Sequence, residues 1–391
     1  MIKKGQQMYK WFNKQPIRWV VLLGACMRLG LWWGKFGRAG YRHLFRDDEV
    51  YWQAAQSFLE TGQFNSPKVM PVLPLLEATL GFPGIIYHNI IIGTALIWVV
   101  YQLGKHLFNP TAALWAAAIV AISPGLLYFS NHAYTEIPFT FLLVLGVLQY
   151  YRGHYWRGHI AWGMSILLRP TLDLFVPVWV IATAVFLHKK NPRQTALHLG
   201  QYALVYVLML APWWGYNYQQ YGQFVRLNLG AGEVMYHGQV NLPQLDELDD
   251  PAVYSLRPYA DIEDPFARDS TLKSVVWAHW TSNPVALPIA IWRNGTKFWF
   301  STPEVFYGAF KPLAAFWSHG LLLLTLIACL AIPDLRSRKW LPIGLLVLYF
   351  TAVHSLLHGM PRYRLPLEPF LAIMAGGLLG RLLPGIFKEE A

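Results

Sequence analysis

Two acidic motifs in the sequence contain residue types that can accept or hold a proton. The first, RDDEVYWQAAQSFLETGQF, places Asp48 and Glu49 at the start of an apolar stripe with helical spacing. Asp47 suits the N-cap of that helix and Gly62 its end. A deprotonated Asp48 can take a proton from a hydroxyl acceptor, but carboxylates in a first turn also simply complement the helix dipole. The stripe consists of Val50, Ala54, Phe58 and Leu59.

The second acidic motif, SNHAYTEIPFTFLL, contains Glu136 at the boundary between two apolar runs. If those runs cross a membrane, Glu136 lies at one mouth of a helix pair, and ionisable groups at membrane depth by default suggest function. The alternative is that Glu136 is only the first-turn acid of the second helix, with Thr135 as its cap. The residues by themselves leave both interpretations open.

Basic residues form a second group of candidates, because an arginine offers a planar fork that matches phosphate and a lysine offers a point charge. They occur in or beside VMPVLP, ILLRPTLDLF and HGMPRYRLPLEPF. Ion pairing of Arg169 or Arg364 with Asp173 or Glu368 is the alternative to a phosphate ligand. The candidate phosphate contacts are Lys68, Arg169, Arg362, Tyr363 and Arg364.

Metal and nucleotide chemistry have little support in the sequence, and no cofactor is expected. A divalent cation held by Asp48 and Glu49 stays open, but no cysteine or histidine spacing typical of a metal site accompanies them. His132 and His237 are candidate substrate contacts, although a single histidine of this kind is more often a hydrogen-bonding wall residue. The sequence contains no Walker A, GxGxxG, HExxH, GxSxG or CxxC motif.

The composition shows which environment these motifs occupy. The chain has 391 residues, of which 55% are hydrophobic and 14% charged, with a mean hydropathy of +0.30. A soluble domain usually has about a quarter charged residues, so we expect an all-α polytopic membrane protein. The net charge of +11 comes from basic residues between the apolar runs, which form no stripe of the nucleic-acid-binding kind.

Windows of about 20 mostly apolar residues predict about ten transmembrane helices. The fifth and sixth are short and form a broken pair around Arg169 and Pro170. The predicted spans are 16–33, 83–104, 110–130, 135–151, 159–170, 172–188, 197–214, 313–332, 340–357 and 365–383.

Loop charge predicts the orientation of these spans. Lysine and arginine cluster in alternate loops, all on one side, which the positive-inside rule assigns to the cytoplasm. The motifs with Asp48, Glu136 and Arg362 then face the other side of what we expect to be the plasma membrane. The basic N-terminal segment has no small-residue cleavage site and predicts a retained first span. The basic residues are Lys3, Lys4, Lys10, Lys14, Lys105, Arg152, Arg157, Lys189, Lys190, Arg193, Arg336, Arg338, Lys339 and Lys388.

Two long external segments, 34–82 and 215–311, belong to a single predicted membrane domain, 1–391. Loops of this length are usually functional. The second has an acidic stretch that begins at Asp246. The amphipathic stretches SVVWAHW and VALPIAIWRNGTKFWF follow it and are expected to lie along the outer interface.

Taken in order, these motifs resemble the GT-C superfamily of membrane glycosyltransferases, in particular its protein O-mannosyltransferase and aminoarabinose transferase branch (glycosyltransferase family 39). The resemblance extends from about Arg28 to Leu383. It rests on the order and placement of RDDEVYWQAAQSFLETGQF, a Lys before a Pro-rich stretch, FNPTAALWAAAIVAISPGLLYFSNHAYTEIPFTFLL, LLRPT, PWWGYNYQQYGQF and RYRLPLEPFLAIMAG. The implied fold is a GT-C-like helix bundle whose two external loops carry interfacial helices.

By this resemblance the protein transfers a sugar, with inversion, from a polyprenyl-phosphate carrier to an acceptor on the extracytoplasmic face. Asp48 matches the first-loop catalytic acid, Glu49 its partner and Glu136 the second-loop acid. The carrier-phosphate contacts match Lys68 and the segment from Arg362 to Arg364.

The resemblance also has departures. A related branch has an arginine two residues beyond the Asp-Glu pair, where this chain has Tyr51, so one phosphate contact of that branch has no match here. Tyr51 is a candidate substrate contact. The chain ends soon after the tenth predicted span, without the further spans or soluble C-terminal domain of larger relatives. Acceptor recognition is therefore expected to fall mostly to 215–311.

The expected partners are a polyprenyl-phosphate-linked sugar donor, a lipid, glycan or protein acceptor, and membrane lipids, with no nucleic acid. A carrier or flippase for a lipid-linked glycan is the main alternative, but it should place charged residues around a midplane cavity between related halves. A non-catalytic assembly subunit is a further alternative, in which the external carboxylates do no chemistry.

Overall fold

A computed structural model describes residues 16–34, 47–186, 191–240, 259–302 and 311–384. Within these ranges the chain is helical and contains no β-strand, which confirms the all-α expectation. Short 3-10 segments at Pro170–Leu172, Pro333–Arg336, Arg338–Trp340 and Pro361–Leu367 join some of the helices. The α-helices are α1 (Pro16–Trp32), α2 (Asp47–Thr61), α3 (Val72–Leu107), α4 (Pro110–Ile122), α5 (Pro124–Phe129), α6 (Glu136–Tyr151), α7 (Tyr155–Leu168), α8 (Phe175–Phe186), α9 (Pro192–Tyr221), α10 (Ala231–Gln239), α11 (Pro265–Ser282), α12 (Ala286–Phe300), α13 (Lys311–Ala331), α14 (Leu341–Leu356) and α15 (Glu368–Leu382).

The predicted spans all overlap helices of the structure. Within the described ranges, five helical segments are long and apolar enough to cross a membrane, and α4, α6 and α8 are shorter apolar helices. The chain is therefore a multi-pass membrane protein. The five segments are Val72–Leu107, Pro192–Tyr221, Lys311–Ala331, Arg338–Leu356 and Pro361–Leu382.

Prolines cause two breaks among the predicted spans, one between the fifth and sixth spans, as predicted, and one inside the third. Arg169 has extended backbone, with φ −150° and ψ 129°, between the end of α7 and the start of α8. Pro170 causes this, because proline disfavours helical backbone at the residue before it. A second break at Ser123 and Pro124 divides the predicted span 110–130 into α4 and α5.

A kink divides α3 where the predicted loop 34–82 meets the second span. Gly81 has a positive φ of 70°, which only glycine adopts readily, and Pro83 follows it. The helix packs against α2, and Trp52 of α2 meets the ring of Phe82, the residue after the kink, edge-on at 5.5 Å. The part after the kink enters the bundle.

Loops that carry the predicted cytoplasmic charges meet at one end of the bundle. Arg152 Nη2 donates to Gln102 Oε1 at 2.8 Å, and Lys339 Nζ donates to the Leu107 carbonyl at 2.9 Å. The hydroxyl of Tyr151, the last residue of α6, donates to the Lys339 carbonyl. The first residue of α6 is Glu136, so that motif lies at the opposite end. Outside the described residues lie Lys3, Lys4, Lys10, Lys14, Lys189, Lys190 and Lys388.

α9 continues past the predicted span 197–214 as far as Tyr221. On this extension, the Tyr216 hydroxyl accepts from the Phe64 N–H at 2.7 Å, and Gln220 Nε2 donates to the Phe64 carbonyl at 2.9 Å. The extension therefore joins the two segments that the sequence predicts to be external.

The two amphipathic stretches form α11 and α12. Asp264 caps α11, because its carboxylate accepts from the N–H groups of Phe266 and Ala267. Trp277 and Trp292 are 65% and 76% exposed, as interfacial anchors would be. The acidic residues Asp246, Glu247, Asp249 and Asp250 lie outside the described residues.

Small residues bring α15 and α4 into close contact. A Cβ atom on Gly376 would lie 2.5 Å from the Ala112 carbonyl oxygen and 2.8 Å from the Ala116 nitrogen. Such close backbone approach is typical of membrane helices, where packing rather than the hydrophobic effect drives association. This contact positions α15 and the 3-10 segment Pro361–Leu367 that precedes it.

We expect Gly376→Ala to lower the melting temperature of the detergent-solubilised protein, since overpacking of this kind costs about 1–3 kcal/mol. Gly344→Ala is the matched control, because no atom lies within 4 Å of the position of its added Cβ. Thermal unfolding followed by tryptophan fluorescence measures both. Equal melting temperatures for the two variants would show that α4 and α15 can separate without cost.

Candidate active site

The first turn of α2 directs the Asp48 carboxylate into the bundle. Asp48 is fully buried, as are Ala54 and Ala55, whereas Val50 and Leu59 of the predicted apolar stripe are 45% and 59% exposed. The buried face therefore begins with an acid, and part of the predicted stripe points outward. Gly62 ends the helix with φ 73°, as predicted.

Arg362 connects α2 with α6. Its Nη1 donates to Asp47 Oδ2 at 2.5 Å, and its Nε lies 3.9 Å from Glu136 Oε1. Arg362 comes from the 3-10 segment before α15, while Asp47 and Glu136 are the first residues of their helices. Carboxylates are favourable at helix N-termini, so both helices support the placement of these acids.

Arg169 is the second cation on Glu136. Arg169 Nη1 lies 2.7 Å from Glu136 Oε1, and the glutamate side chain is only 4% exposed. Asp173, considered above as a partner of Arg169, instead pairs with Arg226 and accepts from the Tyr206 hydroxyl at 2.5 Å. The glutamate is thus a first-turn acid and also the centre of a buried ion cluster.

Aromatic rings fill the space between these charges. The guanidinium groups of Arg169 and Arg362 each lie 5.2 Å from the centroid of the Tyr363 ring, which suits cation–π contact. His354 stacks on the same ring at 4.7 Å. Burial, followed by the Asp47 carboxylate, raises the pKa of the Tyr51 hydroxyl, so this phenol stays a neutral hydrogen-bond donor.

Glu49 lies apart from this cluster. It is exposed and accepts from Gln53 Nε2 at 3.0 Å, one turn along α2. Because Asp48 is buried and Glu49 is exposed, the two do not form a shared cation site. Among the residues that the structure describes, no group of three or more His, Cys, Asp or Glu side chains could hold a metal ion.

Lys68 contacts the second external segment. Its Nζ lies 2.6 Å from Glu233 Oε1 on α10, and Arg268 Nη2 lies 3.3 Å from the same oxygen. Asn228 Nδ2 also donates to the Lys68 carbonyl at 2.7 Å. Lys68 therefore joins the two external segments, and its ammonium already has a carboxylate partner.

Arg364 points to the end of α12. Its Nη1 donates to the carbonyls of Phe298 and Trp299, and its Nη2 donates to the Ser318 hydroxyl. A cation at a helix C-terminus satisfies carbonyls that lack partners within the helix. The two arginines of the RYR motif thus serve different neighbours, since Arg362 faces the acidic cluster.

The two candidate histidines lie in aromatic surroundings. His132 stacks on Tyr128 at 4.1 Å, and its Nδ1 lies 2.9 Å from the Tyr128 carbonyl oxygen. His237 on α10 meets His358 edge-on at 6.1 Å, and His358 lies 6.3 Å from the Tyr363 ring. His132 also stacks on Tyr134 at 5.6 Å, a ring that lies beside Arg362, while His237 borders the Tyr363 side of the cluster.

Sequence reasoning missed two polar residues of α3. Glu77 is fully buried, interacts electrostatically with Asp48, and its carboxylate oxygens have no hydrogen-bond partner among the described residues. Asn89 donates to the carbonyls of His132 and Tyr134 at 2.8 and 3.1 Å. A single acid in the otherwise apolar stretch VLPLLEATLGF was the available signal for Glu77. Nothing comparable marks Asn89.

The Glu136–Arg169 contact predicts strong coupling. Glu136→Gln and Arg169→Met each leave the other ion buried without its partner, so each single change should destabilise the protein. The double variant should recover part of the loss, with a coupling free energy of about 1–3 kcal/mol. Thermal unfolding of all four proteins in detergent measures it. Additive effects would mean that the pair contributes nothing to stability.

A family model described as dolichyl-phosphate-mannose-protein mannosyltransferase matches residues 79–216. This range contains Glu136 and Arg169, and it excludes Asp48 and Arg362. No curated protein sequence matches the chain at a significant level.

Solved structures match almost the whole chain. ArnT from Cupriavidus metallidurans bound to undecaprenyl phosphate is similar with a TM-score of 0.59 and 17% identity, over 94% of this chain and 61% of ArnT. The apo oligosaccharyltransferase of Archaeoglobus fulgidus has a TM-score of 0.60 and 12% identity, over 97% of this chain and 53% of that one. AglB of the same organism, in complex with an inhibitory peptide and a dolichol-phosphate, has a TM-score of 0.60 and 14% identity, over 96% and 51%.

The chain thus spans 61% of the ArnT chain and little more than half of the oligosaccharyltransferase chains. At these identities the similarity establishes the fold. It agrees with the family match and with the resemblance of the sequence motifs. The chain is a multi-pass membrane protein with the GT-C fold.

Proposed function

We propose that the protein is a membrane glycosyltransferase that moves a sugar from a polyprenyl-phosphate carrier to an acceptor at the extracytoplasmic face of the plasma membrane. The observation that carries this proposal is the cluster of Asp47, Glu136, Arg169 and Arg362 around Tyr363, beside the buried Asp48. It combines acids that can handle a proton with cations that can hold a phosphate, on a fold shared with carrier-binding proteins.

The two guanidinium groups suit the carrier phosphate. Arginine has several N–H donors in a planar fork, and the Arg169 contact with Glu136 uses one of its nitrogens. Charge-assisted hydrogen bonds to phosphate are stronger than neutral ones. Among solved structures of this fold, ArnT is bound to undecaprenyl phosphate and AglB to a dolichol-phosphate, which supports a polyprenyl-phosphate donor here.

The proposed reaction is a single displacement at the anomeric carbon. The acceptor hydroxyl oxygen forms the new glycosidic bond while the bond from that carbon to the phosphate oxygen breaks, with inversion. The hydroxyl proton passes to Asp48, and the departing phosphate's charge falls to Arg169 and Arg362. Because Asp48 is fully buried, the acceptor must displace covering side chains to reach it.

The acceptor side is assigned to α10, α11 and α12. Lys68, held by Glu233, connects this region to the first external segment, and it stays a candidate phosphate contact if the ligand replaces the glutamate. His237 borders the same region. The proposed acceptor is a lipid, a glycan or a protein.

Asp48→Asn should abolish most turnover, by about 10²–10⁴-fold, because it removes the base without changing the size of the side chain. Glu49→Gln is the matched control and should keep wild-type turnover, since Glu49 is exposed and bonded to Gln53. The assay uses purified protein in nanodiscs with radiolabelled polyprenyl-phosphate sugars. Full turnover of Asp48→Asn would contradict the general-base role and favour an acceptor, such as a phosphate, that needs no base.

Donor binding without sugar transfer over a broad donor and acceptor panel would contradict the enzyme proposal. That outcome would favour the carrier or flippase alternative. The same panel identifies the sugar when transfer occurs.

Arg362→Lys should weaken the binding of undecaprenyl phosphate about tenfold, because lysine keeps the charge but loses the fork. Arg364→Lys should leave that affinity within about twofold, since Arg364 binds the end of α12, although it should lower the melting temperature. Ligand titration by tryptophan fluorescence compares the two. Equal weakening would show that both arginines of the RYR motif contact the phosphate.

A further inference from the structure

α5 is held at both ends by buried ions from distant helices. At its end, Arg28 Nε of α1 donates to the Ser130 hydroxyl at 3.1 Å, and that hydroxyl donates to the Leu126 carbonyl at 2.6 Å. At its start, the Ser123 hydroxyl donates to Glu368 Oε2 of α15 at 2.7 Å. Arg28 is fully buried and Glu368 is only 5% exposed.

Arg28 also makes hydrogen bonds to backbone carbonyls in this region. Its Nη1 donates to the carbonyls of Gly24 and Ala121 at 3.0 and 3.4 Å, and within the described ranges no carboxylate pairs with it. A Cβ atom on Gly93 of α3 would overlap the Ser130 hydroxyl and lie 3.0 Å from Arg28 Nε. Burying a guanidinium is expensive unless its hydrogen bonds are made. Arg28 makes them through Nε and Nη1, whereas its Nη2 has no partner among the described residues.

The two serines are connected to different parts of the candidate active site, Ser130 to the turn before Glu136 and Ser123 to the segment with Arg362. Ser130 precedes the turn that ends at Glu136, and Asn89 holds the same turn through the His132 and Tyr134 carbonyls. Glu368 follows the 3-10 segment with Arg362, and it interacts electrostatically with Arg364. α5 therefore connects the acid of the cluster to its cation.

We propose that Arg28 and Glu368 are positioning residues that hold the two ends of α5, so that Glu136 meets Arg362 at a set distance. The Arg28–Ser130 hydrogen bond orients the Glu136 turn, and the Glu368–Ser123 hydrogen bond orients the Arg362 segment. The kinetic part of this proposal rests on the proposed glycosyltransferase function, whereas the structural part does not.

The test removes each serine hydroxyl and keeps both ions. Ser130→Ala and Ser123→Ala are compared with Ser165→Ala, a buried serine of α7 whose hydroxyl has no partner among the described residues. Hydrogen exchange of the full-length protein, followed by mass spectrometry, reports on the segment 131–136. Ser130→Ala should speed exchange there by about 3–10-fold, the effect of losing one hydrogen bond on local opening, and Ser165→Ala should not.

Two functional readouts report on these contacts. Ser130→Ala should lower sugar transfer and weaken undecaprenyl phosphate affinity, each about tenfold, because it releases the turn with Glu136, which contacts both Arg169 and Arg362. Ser123→Ala should weaken that affinity about tenfold, because it releases the Arg362 segment. A general loosening of the bundle would instead change both readouts in Ser165→Ala as well.

The outcomes distinguish the two proposals. Unchanged exchange in Ser130→Ala, or equal changes in Ser165→Ala, would overturn the positioning role. Changed exchange in a protein that transfers no sugar in any form would support the positioning role and count against the proposed function.

Discussion

Arg362 joins parts of the chain that are far apart in sequence. It pairs with Asp47 at the start of α2 and faces Glu136 at the start of α6, from a segment that immediately precedes α15. Buried charges are stable only when their partners are in place. The first external segment, the second acidic motif and the last helix must therefore come together for any of these ions to be buried.

The candidate site is built at helix ends and breaks. Asp47 and Glu136 begin helices, Arg169 stands at the break before Pro170, and Arg362 lies in the 3-10 segment before α15. Regular membrane helices direct side chains toward lipid or neighbouring helices, and irregular backbone is tolerated only where protein or a water-filled cavity surrounds it. The irregular segments thus mark the places where polar side chains can converge.

Close backbone contacts hold the segment before Arg362 against α10 and α12. A Cβ atom on Gly238 of α10 would overlap the Leu357 carbonyl, and one on Gly359 would overlap the Asn294 carbonyl of α12. Asn294 Nδ2 also donates to the Gly238 carbonyl at 3.0 Å. The region proposed for the acceptor is therefore packed directly on the segment proposed for the donor phosphate.

The sequence by itself determined the membrane environment, the helices and the chain positions of the acids and bases. Hydrophobicity, proline and loop charge act locally, so the break at Pro170 was predictable. The kink at Gly81 was not predicted, since the sequence indicated a boundary between a loop and a span there. Tertiary structure alone decided which charges meet. Asp47 rather than Glu49 pairs with Arg362, because the rotation of α2 against α3 places one acid inward and the other outward. Tertiary structure also decides that the two arginines of the RYR motif have different partners. Arg364 binds carbonyls at the end of α12, and its partners therefore depend on where that helix ends. These two contacts join residues 315 and 65 positions apart, and no local pattern in the chain encodes them.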